Sequence, residues 1–222
     1  MKMERRAAAS ALTLVEFLVV LTVIVMLLAM LLPALSGGGP RDKPHLAVCR
    51  VNLNQTARGS TMWASDHEGQ FPWQISVTNG GTLESAAGGR VVPSFHALSD
   101  YLSAQSARLV CPSDKTKRPA TNFATLTEQN ISHFLDLDSV MHSTNSILSG
   151  DRHLQLNGQP VKPGVSTVTT NTAVSWTKEL HYSGKLLGGN LAFADGHVQY
   201  TRESLQRIIR QQPQATNRFL IP

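Results

Sequence analysis

Apolar positions are spread very unevenly along this chain. From Phe17 to Leu32 every residue is apolar except Thr22, and the run reaches outward to Leu12 and Leu35. The pattern has no polar face, so it predicts a helix that is apolar all round. At about 1.5 Å per residue a helix over 12–35 reaches ~36 Å, against a bilayer core of ~30 Å, and the expectation is a transmembrane helix. Pro33 predicts a kink or an end near residues 29–33, because proline lacks the backbone donor and clashes with the preceding turn. Ser36 to Pro44 contains three glycines and two prolines and reads as a hinge over 36–44.

Beyond the hinge the pattern becomes periodic. Leu46, Cys49, Leu53, Ala57 and the stretch Ser60 to Trp63 follow three/four spacing, with Arg50, Asn54 and Arg58 opposite. This predicts an amphipathic helix over 45–64 that lays its apolar stripe on a sheet, broken by Ser65 to Pro72 with Gly69 as the stop. Ser94 to Leu102 predicts a further helix, Ile131 to Leu135 and Ser146 to Ser149 predict strands, and the Gly/Pro/Thr-rich residues 157–173 read as a surface loop. Leu191 to Tyr200 is the strongest β pattern. Asp195-Gly196 favours a two-residue type I′ turn, which pairs Phe193 with Val198 and Leu191 with Tyr200 on one apolar face. Thr201 is then placed to cap a final helix to Gln212, with Leu205, Ile208 and Ile209 inward.

The chain has 222 residues, a net charge of +5 and only 16% charged residues. That length leaves one compact domain after the apolar run. No Lys/Arg run with interleaved aromatics occurs, so nucleic acid is not an expected partner. The basic residues Lys2, Arg5 and Arg6 before the run are balanced by Arg41, Lys43 and Arg50 after it, and charge alone gives no orientation. A conventional secretory signal, cut after Ser36, is the alternative reading of this N-terminus.

Ala-Leu-Thr-Leu-Val-Glu (Ala11 to Glu16) follows a short basic leader and precedes the apolar run. It resembles the processing signal of type IV prepilins and type II secretion pseudopilins. The resemblance implies cleavage by a prepilin peptidase between Ala11 and Leu12, methylation of the new amine, and Glu16 as the fifth mature residue. It implies Pro33 at the twenty-second mature position, where the family favours proline. Ala11 stands where the family usually has Gly, and the Gly/Pro hinge departs from its single long helix. Cys49 to Gln55, Trp63 to Pro72, Val110 to Asp114 and residues 190–200 resemble a pilin-like family, abundant in planctomycete and verrucomicrobial bacteria, that ends in a His-x9-Asp-Gly motif. Here thirteen residues separate His181 from Asp195, so that motif is matched loosely.

The resemblance implies the following organisation: a leader over 1–11, a transmembrane helix over 12–35, a hinge over 36–44 and a periplasmic head over 45–222. The expected fold class is α+β and pilin-like, with a spine helix on an antiparallel sheet. The expected location is the inner membrane, single-pass, with the head in the periplasm or in an extracellular filament. The implied role is a structural, non-enzymatic subunit of a type II secretion pseudopilus or type IV pilus-like filament. Its partners would be the prepilin peptidase, other pilin or pseudopilin subunits and the inner membrane. A tethered or secreted binding or hydrolytic domain is the alternative.

Glu16 is the residue with an assembly role in that family, where its carboxylate meets the free amine of Leu12 in a neighbouring subunit. Cys49 and Cys111 are the only cysteines; a disulfide and two reduced buried thiols both remain open. Asp151, Arg152, His153, His181, Asp195 and His197 are considered as a converging site. Asp195 is already explained by its turn with Gly196, and Asp151 and Arg152 read as an ion pair. No Cys-x-x-Cys, His-Glu-x-x-His or Gly-x-Ser-x-Gly motif occurs, so the sequence assigns no catalytic residue, no metal and no cofactor.

Overall fold

The computed structural model describes residues 13–35, 42–181, 187–202 and 204–222, with backbone alone at 30–35 and 42–44. The chain divides into two units, Met1–Arg41 and Asp42–Pro222. In the first, helix α1 runs from Leu14 to Leu35. It continues through Pro33, so the end expected near residues 29–33 is not found there. Its large apolar side chains from Leu14 to Leu28 are 48–78% exposed on every side.

The transmembrane expectation is overturned. Among the described residues no helix is long and apolar enough to cross a membrane. The part of α1 with described side chains, residues 14–29, is only about 24 Å long at ~1.5 Å per residue, short of a ~30 Å hydrocarbon core. The inner-membrane, single-pass placement falls with it. The pilin-like fold class with its transmembrane helix is corrected accordingly: the chain is α+β with an antiparallel sheet, and its first helix is exposed.

In the second unit, helix α2 spans Asp42–Ser65, three residues earlier than the hinge reading allowed. Pro44 falls in its first turn, where the missing N–H has no helical partner to lose. Residues 36–41 of the expected hinge lie outside the described residues. Cys49, Leu53, Ala57, Ser60, Trp63 and Ala64 are buried along one stripe of α2, while Arg50 and Arg58 are exposed. Short helices α3 (Leu83–Ala87) and α4 (Val92–Ala97) and several 3-10 turns follow. The expected helix at Ser94–Leu102 is thus shifted and shortened. Ser103 and Ala104 take positive φ just after it.

The strands are β1 (His133–Asp136), β2 (Ile147–Asp151), β3 (Leu154–Leu156), β4 (Gln159–Pro160), β5 (Gly164–Thr169), β6 (Val174–Trp176), β7 (Gly188–Phe193), β8 (Val198–Arg202) and β9 (Thr216–Ile221). The large sheet has the order β5-β9-β1-β2-β7-β8 and every pairing in it is antiparallel. A small sheet orders β4-β3-β6. Helix α2 packs against β2, β7 and β8 on one face of the large sheet. On the other face Trp176, Leu205 and Ile209 join Phe134, Leu191 and Phe219 in a second core. Strand β7 lies between the two cores and is buried at every position. A Cβ on Gly189 would stand 2.7 Å from the Trp176 ring, so only glycine admits that contact.

Three local expectations change here. The presumed loop at 157–173 contains β5, which pairs with β9 along its whole length. Thr201 belongs to β8 rather than to a cap, and the last helix, α5, is only Gln206–Arg210. The hairpin register is one residue off, with Leu191 facing Gln199 and Ala192 facing Val198. The cause is the turn. Gly196 donates its N–H to Phe193 O (2.9 Å) and Phe193 donates its N–H to His197 O (3.0 Å). Only Gly196 in this turn has positive φ, at 91°. This is a three-residue loop with glycine at the left-handed position, not the two-residue type I′ turn.

Candidate functional site

Ala11 and Leu12, the expected cleavage pair, lie outside the described residues. Glu16 sits in the first turn of α1. Thr13 donates its backbone N–H (2.8 Å) and its hydroxyl (2.9 Å) to Glu16 Oε2, and Glu16 donates its N–H to Thr13 Oγ1 (3.3 Å). This is a reciprocal capping box, Thr at the cap and Glu three residues on. The two bonds from Thr13, its backbone N–H first, hold the Glu16 carboxyl below the usual carboxylate range. Both bonds from Thr13 end on Oε2.

Cys49 on α2 and Cys111, which follows a 3-10 turn at Ser106–Leu109, form a disulfide. Both are fully buried with Leu180 beside them. Asn52 donates from Nδ2 to Val110 O (3.2 Å), adding a second tie between the same two segments.

Next to this disulfide the sheet assembles a buried polar row. His133 on β1 pairs with Asp151 on β2. Gly150 pairs with Leu191 on β7, so one step along the strand puts Asp151 beside Asn190. Asp151 Oδ2 accepts from Asn190 N (2.8 Å) and Asn190 Nδ2 (2.9 Å), and His181 Nε2 lies 3.2 Å away. His133 Nδ1 stands 3.7 Å from Asp151 Oδ1. His181 Nε2 is also 3.6 Å from Cys111 Sγ and 3.3 Å from Asn190 Nδ2. Burial alone would raise the Asp151 carboxyl, but the bond from His181, the neighbouring imidazoles and the Asn190 N–H hold it below the usual range. Burial drives the His133 imidazole down and outweighs the attraction of Asp151. Asp151 Oδ1, both ring nitrogens of His133, His181 Nδ1 and Asn190 Oδ1 are buried without a hydrogen-bond partner among the described residues. Such concentration is unusual, because buried polar atoms are normally paired.

Arg152 does not pair with Asp151, because adjacent strand residues point to opposite sides. Its Nε (2.8 Å) and Nη2 (3.2 Å) donate instead to Asp114, which also accepts from Ser132 Oγ (3.0 Å). Burial opposes ionisation of Asp114, yet Arg152 and Thr116 carry its carboxyl far below the usual range. His153 Nε2 lies 3.2 Å from Glu179, and burial with the Arg152 charge holds that imidazole down to about 4. Asp195 and His197 sit at the hairpin tip, where Asp195 Oδ1 accepts from His197 N (3.0 Å) and contacts His197 Nδ1 (2.6 Å).

Of the residues considered from sequence, the fold therefore joins Asp151 with His181 and leaves Arg152, His153, Asp195 and His197 to other contacts. Sequence reasoning missed His133, Asn190 and Asp114. A usable signal existed for one of them: Asn190 is the polar residue inside the otherwise apolar strand run Gly188–Phe193. As a donor set, Cys49 Sγ, Cys111 Sγ and a His181 ring nitrogen all lie within 4.8 Å of one another. No protein-family model, no curated protein and no solved structure matches this chain.

Proposed function

We propose that this chain is a structural subunit of a filament of the prepilin-processed kind, joined to further copies of itself through α1. The observation that supports the reading is the surface of α1: Leu, Val, Ile, Phe and Met side chains exposed all round, with Glu16 the one charge between Leu14 and Ala29. An apolar surface of this extent marks an interaction site. Each Leu or Val taken out of water contributes roughly 1.5–3 kcal/mol. The occupant is a second copy because α1 offers no pattern of charges to select a different chain, while copies present identical apolar helices to one another.

In this role the prepilin peptidase would release residues 1–11 and expose the Leu12 amine. The Glu16 carboxylate, anchored by Thr13 at the start of the helix, is then available to an amine on a neighbouring copy. The head contributes a disulfide-tied α2 on its sheet and carries no assigned catalytic step. Mass spectrometry of the protein isolated from its producing cells tests the reading. It predicts a chain beginning at N-methylated Leu12 and recovered in multimers; a monomer that retains residues 1–11 overturns it.

A further inference from the structure

The disulfide and His181 group three donor atoms as a metal site does, with two of its ligands oxidised. Tetrahedral Zn2+ holds sulfur at ~2.3 Å, imidazole nitrogen at ~2.0–2.1 Å and carboxylate oxygen at ~2.0–2.2 Å. Those bond lengths require a sulfur–nitrogen edge of about 3.6 Å and a nitrogen–oxygen edge of about 3.3 Å. Cys111 Sγ to His181 Nε2 is 3.6 Å, and His181 Nε2 to Asp151 Oδ2 is 3.2 Å. Cys49 Sγ, Cys111 Sγ and His181 already share one 4.8 Å cluster, and all three residues are buried. The two sulfurs must separate, and Asp151, which stands outside that cluster, must close on them.

A second observation points to the same place. Asp151 Oδ1, His181 Nδ1, Asn190 Oδ1 and both nitrogens of His133 are buried and unpartnered among the described residues. Ligating carboxylates are held by further hydrogen bonds. Asn190 supplies two such bonds to Asp151. Cys111 borders a cleft of about 420 Å³ walled by Val48, Asn52, Lys117 and Arg118.

We propose that the Cys49–Cys111 disulfide is the closed form of a redox-gated site for Zn2+. A dithiol reductant opens it: two electrons and two protons pass to Cys49 and Cys111, and the reductant leaves as its own disulfide. Zn2+ then displaces the two thiol protons to solvent, the His181 proton shifts from Nε2 to Nδ1, and the ion binds Cys49 Sγ, Cys111 Sγ and His181 Nε2, with Asp151 Oδ2, 3.2 Å from that nitrogen, closing in as the fourth ligand. Thiolate and imidazole donors together select Zn2+ over Mg2+ or Ca2+.

The test uses the full chain, reduced with a dithiol, desalted without oxygen and titrated with Co2+ as a spectroscopic substitute, then with Zn2+ against a chromophoric chelator. The reduced chain should bind one metal ion with intense tetrahedral d–d bands and a sulfur-to-cobalt charge-transfer band; the oxidised chain should show neither. His181→Ala should weaken Zn2+ binding at least 10–100-fold, and His181→Cys should restore it with a stronger sulfur band. Far-ultraviolet circular dichroism is followed in parallel. Equal binding by oxidised and reduced chains, undiminished affinity in His181→Ala, or a reduced chain that unfolds and binds nothing would each overturn the proposal.

Discussion

Charge at individual residues is set here by neighbours drawn from distant parts of the chain. Asp114 is buried and its two oxygens are taken by Arg152, Ser132 and Thr116. Removing one partner of such a pair leaves the other uncompensated, so Asp114→Ala should destabilise by about 3 kcal/mol in urea unfolding, the low end for buried pairs because Arg152 is partly exposed. His153 gives the acid limb. Its folded value, about 4, lies below its ordinary 6.5, so the unfolded chain takes up that proton first. Stability from this group is complete above about 6.5 and drains away as pH falls toward about 4, which melting temperatures across that window should show and His153→Gln should flatten. Asp136 works in the opposite sense: burial raises its carboxyl well above the usual range, so its contribution is lost as pH rises. Asp136→Asn should therefore raise the melting temperature more at about pH 8 than at about pH 4. Glu16 separates two roles. Glu16→Gln keeps an acceptor for Thr13 and should preserve the helix start, whereas Glu16→Ala removes it; if the charge serves assembly, both variants should lose multimers.

At the scale of elements, the hairpin shows what was legible and what was not. The strands on either side of Asp195-Gly196 follow from their alternating apolar residues, but the register depends on one glycine's φ, and a single-residue change in loop length moves every partner. Gly196→Ala should cost about 1 kcal/mol, read as a lower unfolding midpoint, because an alanine resists φ of 91°. The amphipathic helix α2 was readable because its period is set by burial on one face. Strand β5 was hidden by its Ser/Thr composition: it is a sheet edge whose exposed positions need no apolar side chains. The row His133, Asp151, Asn190 was hidden for a different reason. Its members lie on three strands brought together by pairing, and His181 arrives from a connection after β6, so no linear spacing encodes the cluster.

Over the whole molecule, two features govern behaviour: the disulfide within the second unit and the apolar surface of the first. The bond between Cys49 and Cys111 closes a separation of 62 residues, which on the chain-entropy account contributes about 4 kcal/mol; reduction without metal should lower the urea midpoint accordingly. For α1, the account requires that something cover Leu, Val and Ile side chains exposed around the full helix, and it assigns that task to other copies. Sedimentation velocity of the full chain beside a variant carrying Leu21→Asp, Ile24→Asp and Leu28→Asp on one face of α1 tests this most directly. The account predicts multimers for the unaltered chain and a folded monomer for the variant; a monodisperse monomer in both cases would contradict it.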